Sequence, residues 1–60
     1  MTVDETVAGP LAGHDVVMTL ADGSAVSAYI VTVGFAGLRA VVDGEVHEYR
    51  YSFIDSITEA

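Results

Sequence analysis

The sequence predicts an all-β fold: a small five-stranded barrel with a short N-terminal tail or helical turn. Three observations carry this. Val16, Met18 and Leu20, then Val26, Ala28 and Ile30, recur at every second position, the period of a strand with one buried face. Asp22-Gly23 and Asp43-Gly44 interrupt the apolar pattern with tight-turn chemistry. The chain has 60 residues and no cysteine, so it forms one domain whose core must come from short elements without disulfide support.

In chain order, residues 1–10 show no clean period and read as a flexible N-terminal tail, with 11–60 as the barrel domain. A turn of helix over Asp4 to Ala8 fits this segment, with Thr2 or Asp4 as its cap, and Gly9-Pro10 would stop it. Leu11 is expected to tuck under the barrel. His14 stands beside Asp15 at the entry to the first strand and is expected to be exposed.

Strand one is expected over about Asp15 to Leu20 and strand two over about Ser24 to Val33. A two-residue loop at Asp22-Gly23 would put Val26, Ala28 and Ile30 on the face opposite Val16, Met18 and Leu20. A three-residue loop, Ala21-Asp22-Gly23, pairs Leu20 with Ser24 and gathers all six on one face. A one-residue slip exchanges the faces of a strand, so the apolar pattern selects the three-residue loop, with Gly23 in the left-handed position. Tyr29, Val31 and Val33 then share the other face. Strand two is thus apolar on both sides in its second half, which calls for cover from barrel closure or from a second subunit.

Gly34-Phe35-Ala36-Gly37 reads as a turn or bulge with close backbone approach. No lysine follows and no helix starts there, which excludes a phosphate-cradling loop. Strand three is expected over about Leu38 to Val42. A two-residue turn at Asp43-Gly44 pairs Val42 with Glu45, Val41 with Val46, Ala40 with His47 and Arg39 with Glu48. Leu38, Ala40 and Val42 fall on one face with His47, Tyr49 and Tyr51. Arg39, Val41, Val46, Glu48 and Arg50 fall on the other. Tyr51, Ile54 and Ile57 are three apart, which fits one tight helical turn before a short last strand. Five short strands with such a turn before the last suggest an SH3-like barrel.

The stretch from Leu11 to Gly23, LAGHDVVMTLADG, resembles the opening of the Sm-like family (the LSm and Hfq type): a leucine, a glycine before the first strand, alternating apolar residues and a loop ending in Asp-Gly. Tyr49 to Ile57, YRYSFIDSI, is similar in type to the closing motif of the bacterial branch. The resemblance spans about Leu11 to Thr58 and implies an Sm-like barrel that assembles through its edge strands. Ala28 stands where the family usually has glycine. RNA-binding members place an Asp and an Asn in the loop after strand two, where this chain has Gly34 and Gly37. The closing Arg-Gly or Lys-His of RNA binders is missing.

Nine carboxylates face two arginines, Arg39 and Arg50, for a net charge of −7, with no lysine. This composition resembles that of halophilic proteins, whose self-repulsion is screened at molar salt. The alternative is an acidic surface made for a basic partner, as in a nucleic-acid mimic. Binding to phosphate backbones draws on Lys and Arg, so RNA is a disfavoured partner. No apolar run is long enough to span a bilayer as a helix, and the acidic start lacks a secretory pattern. A cytoplasmic protein, not bound to membrane, is expected.

No catalytic residues are assigned. There is no cysteine nucleophile, no GxSxG and no carboxylate pair beyond surface acids. His14-Asp15 and His47-Glu48 are sequence neighbours whose side chains point to opposite faces of a strand, so no metal site and no cofactor are expected. The one cluster with binding chemistry is Arg39, His47, Tyr49, Arg50 and Tyr51. It could stack bases or grip a carboxylate, or serve structurally as core edges and charge compensation. Val46, Phe53 and Ile57 mark the expected oligomer edge. The sequence therefore predicts a non-enzymatic self-associating or partner-binding module, a homo-oligomer with a possible protein partner. An RNA-associated Sm-like protein is the alternative.

Overall fold

The structure, a computed structural model, describes residues 3–60. A short helix α1 (Glu5–Ala8) and a 3-10 turn (Gly9–Leu11) lead into β1 (Asp15–Leu20), β2 (Ala25–Val33), β3 (Gly37–Val42) and β4 (Glu45–Arg50). A second 3-10 turn (Tyr51–Phe53) precedes β5 (Ile54–Glu59). All strand pairs are antiparallel, and they form one sheet in the order β4-β3-β2-β1-β5.

Both hairpins take the register set by the apolar pattern. Val16 faces Ala28 and Met18 faces Val26. Leu20 N–H donates to the Ser24 carbonyl at 2.8 Å, which leaves Ala21-Asp22-Gly23 as the loop. Gly23 has φ +90°, in the left-handed region that glycine enters without a Cβ penalty. The Asp22 carboxylate accepts from the Ser24 hydroxyl at 2.6 Å and the Ser24 N–H at 2.9 Å. Those bonds, the hydroxyl's first, hold the Asp22 carboxyl below its ordinary value. In the second hairpin Val42 pairs with Glu45 across Asp43 and Gly44. Both turn residues have positive φ, 52° and 81°, as a two-residue turn matched to strand twist requires.

One face of the sheet builds the core. Val16, Met18, Leu20, Ala28, Ile30, Leu38, Ala40, Tyr51 and Ile54 are buried, with Met18, Ile30 and Val16 the largest side chains fully withdrawn from solvent. Val26, Val33, Val42, Tyr49 and Ile57 pack against this cluster.

Three expectations change. The N-terminal segment is packed over its described part: Val3 and Ala8 are buried in the same core. Asp4 caps α1, its side chain accepting from Val7 N–H at 3.1 Å. The proposed cap Thr2 lies outside the described residues, as does Met1. Val33 leaves the face of Tyr29. A bulge between Ile30 and Thr32 makes Val31 and Thr32 consecutive exposed residues and turns Val33, opposite Leu38, onto the core, as an inserted residue must. Finally, the sheet does not close by strand pairing, because β4 and β5 are its two edges. The outer face of β2 stays open, with Tyr29 and Val31 each 44% exposed.

Candidate interaction surfaces

The hydrogen-bond phase of an antiparallel ladder decides which backbone groups face outward. Bonded pairs alternate with non-bonded ones, so groups pointing to one neighbour recur at every second residue. Tyr51 N–H donates to the Ala36 carbonyl at 3.2 Å. In the same register Tyr49, His47 and Glu45 turn their backbone groups toward β3. Val46, Glu48 and Arg50 therefore aim their N–H and C=O groups out of the sheet. At the other edge, Ala60 N–H donates to the Asp15 carbonyl at 3.0 Å, in the register that pairs Val17 with Thr58 and Thr19 with Ser56. Ile57 and Glu59 are thereby the outward-facing residues of β5. Neither edge holds a lysine or proline, the residues that commonly guard such edges.

An apolar row borders the β4 edge. Tyr29, Val41 and Val46 lie opposite one another across β2, β3 and β4, and Val46 is 62% exposed. Val46 and Ile57, two of the three expected edge residues, have outward backbone groups. Phe53 sits in the turn before β5, its carbonyl accepting from Ala21 N–H at 2.8 Å.

The binding cluster expected from sequence divides by strand parity. Arg39 and Glu48 form an ion pair at 3.2 Å on the outer face, both well exposed, and Arg50 follows on that face two residues later. His47 and Tyr49 point to the opposite face, ring centroids 6.4 Å apart. His47 lies 3.9 Å from Glu45, while Tyr49 leans on the core. Tyr51 is buried, and its hydroxyl donates to the Gly34 carbonyl. It serves as a brace of the β2–β3 turn. Burial raises the pKa of its phenol, and the charges of Glu5 and Asp4 add to the effect.

An open groove of about 870 Å3 runs along the outer face beside that turn, lined by Gly34, Gly37, Arg39, Glu48, Arg50 and Ser52 among others. It holds both cationic side chains of the chain. Gly37 lies opposite Arg50, so the position across from this arginine carries no side chain. The Gly-Phe-Ala-Gly spacing announced the turn, but nothing in the sequence marked Phe35 as its exposed member; it is 91% exposed.

Elsewhere, His14 Nδ1 meets the Glu59 carboxylate at 2.9 Å, tying the start of β1 to the end of β5. Among the described residues no group of three or more His, Asp or Glu is placed to hold a metal ion. No helix among them is long and apolar enough to cross a membrane. Compared with protein families, with curated proteins and with solved structures, the chain gives no match.

Proposed function

We propose that the protein is a non-enzymatic β-barrel module of SH3-like or Sm-like type that self-associates by pairing the β4 edge of one copy with the β5 edge of another. The observation that carries this reading is the pair of unguarded edges. Val46, Glu48 and Arg50 on one side, and Ile57 and Glu59 on the other, present backbone donors and acceptors to solvent. Each such row is a template for another strand. The apolar row of exposed Tyr29 and Val46 with half-buried Val41 between them adds apolar area beside β4 that pairing would cover. A chain of 60 residues gains most from such cover, because small domains bury little surface alone. The acid excess suits this module to a cytoplasm of high salt, where repulsion between copies is screened.

Light scattering in molar KCl tests the reading. The unmodified protein is expected as an oligomer at micromolar concentration. Val46→Pro and Ile57→Pro each remove an outward-facing N–H and leave the internal ladder bonds in place, a setting in which a strand tolerates proline, and Ile57→Pro in addition gives up contact with the core. Both variants are expected to sediment as smaller species with the β-sheet circular dichroism of the parent. A monomeric parent protein rules out self-association.

A further inference from the structure

We propose that the β2–β3 turn and the groove beside it dock an extended segment of a partner protein that carries one carboxylate next to an apolar residue, with Phe35 as the apolar anchor and Arg50 as the charge anchor. Phe35 is the most exposed large apolar side chain among the described residues, at 91%. The backbone on both sides of it is held by hydrogen bonds. Gly34 N–H donates to the Gly37 carbonyl at 2.8 Å, the Ala36 carbonyl accepts from Tyr51 N–H at 3.2 Å, and the Tyr51 hydroxyl donates to the Gly34 carbonyl. These bonds pin the backbone on both sides of Phe35 and present its ring to solvent. An aromatic side chain has only two torsions to fix, so on a held backbone it loses little conformational freedom on binding.

Charge selects the partner. Gly34 and Ala36, on either side of Phe35, line the same groove as Arg39 and Arg50. These are the only two cationic side chains in a chain with nine carboxylates. Arg39 is already engaged by Glu48 at 3.2 Å, whereas Arg50 has no ion pair among the described residues and faces Gly37 across the ladder. A carboxylate fits beside Arg50, where no side chain competes for the space, with an apolar residue of the same segment against Phe35. A nucleic acid is the weaker fit, since its affinity scales with the number of phosphates neutralised and one unpaired arginine in a chain of net charge −7 supplies little of that. The anchors are side chains on the outer face, whereas edge pairing uses the backbone groups of β4, those of Arg50 among them.

A random dodecapeptide library displayed on phage, selected on the full chain in about 0.15 M KCl, tests this. Enriched peptides are expected to share one Glu or Asp at a fixed spacing from an aromatic or branched apolar residue. A fluorescein-labelled copy of the leading peptide should lose roughly ten-fold or more in affinity on Phe35→Ala and on Arg50→Ala. Both variants should keep the circular dichroism and melting curve of the parent. Enrichment of peptides that lack a carboxylate, no enrichment, affinity indifferent to either substitution, or tighter binding of labelled oligo-U than of any peptide would each overturn the proposal.

Discussion

Gly37 lies against the backbone of Tyr49: a Cβ at position 37 would collide with the Tyr49 carbonyl oxygen and stand 3.0 Å from the Arg50 Cα. The colliding atoms are backbone, so no rotamer change relieves them. Gly37→Ala should therefore pry β3 from β4 at the end that carries the groove, costing about 1–3 kcal/mol, the usual range for overpacking. Gly9 is the control. It has helical backbone angles and nothing within 4 Å of a built Cβ, so Gly9→Ala should be neutral or stabilise by about 0.4–1 kcal/mol through the unfolded chain. Urea unfolding of the two variants beside the parent measures both.

Tyr51→Phe removes the hydroxyl bond to Gly34 and leaves the ring in the core. At neutral pH the loss should be about 1 kcal/mol, the net worth of one hydrogen bond. The pH dependence carries a separate signature. The folded state raises the phenol's pKa above its ordinary 10.0, through burial first and then the charges of Glu5 and Asp4. The unfolded chain therefore loses this proton at lower pH than the folded chain. The contribution is complete below pH 10 and disappears as pH rises through the folded value. The parent should show a steeper alkaline loss of stability than Tyr51→Phe, read from urea midpoints between neutral pH and pH 11. Equal slopes would mean that Tyr51 ionises alike in both states.

Self-repulsion makes a prediction about salt. With net charge −7 on 60 residues, the folded state brings like charges closer than the unfolded chain does. Screening within about 3 Å at molar salt removes most of that penalty. The thermal unfolding midpoint should rise substantially from dilute buffer to molar KCl. A flat midpoint would remove the halophile reading and favour an acidic surface kept for a basic partner.

Both hairpins were legible in the sequence for a physical reason: strand side chains alternate, and only one loop length at Asp22-Gly23 puts Val16, Met18, Leu20, Val26, Ala28 and Ile30 together. The Arg39–Glu48 pair followed from the same arithmetic at Asp43-Gly44. Val33 was misplaced because the bulge after Ile30 shifts the pairing by one without leaving a glycine as its mark. The burial of Val3 and Ala8 was hidden because the nine residues before Pro10 mix apolar and polar side chains without a clean period. The candidate cluster read as one patch because Arg39, His47, Tyr49, Arg50 and Tyr51 are close in sequence or register. Strand parity then sends the arginines to one face and the rings of His47 and Tyr49 to the other. Phe35 carries no such pattern, since a turn residue's exposure depends on how the turn is braced.

The edge-pairing reading makes one prediction that tells its arrangement from every other. If β4 of one copy pairs with β5 of the next, the contact is head-to-tail, and each molecule uses two different edges. Val46→Pro then blocks the β4 edge and leaves β5 competent, while Ile57→Pro does the reverse. Neither variant can extend an assembly past its blocked side, and neither can pair with its own kind, because every contact needs one intact edge of each type. Mixed in equal amounts, the two should recombine. The intact β5 of Val46→Pro molecules meets the intact β4 of Ile57→Pro molecules, giving a dimer that cannot grow further. Sedimentation velocity in molar KCl should show monomer for each variant alone and a single dimer for the mixture. Pairing of β4 with β4 would instead leave Ile57→Pro as a dimer by itself and Val46→Pro as a monomer in every mixture, and pairing of β5 with β5 would reverse those two results.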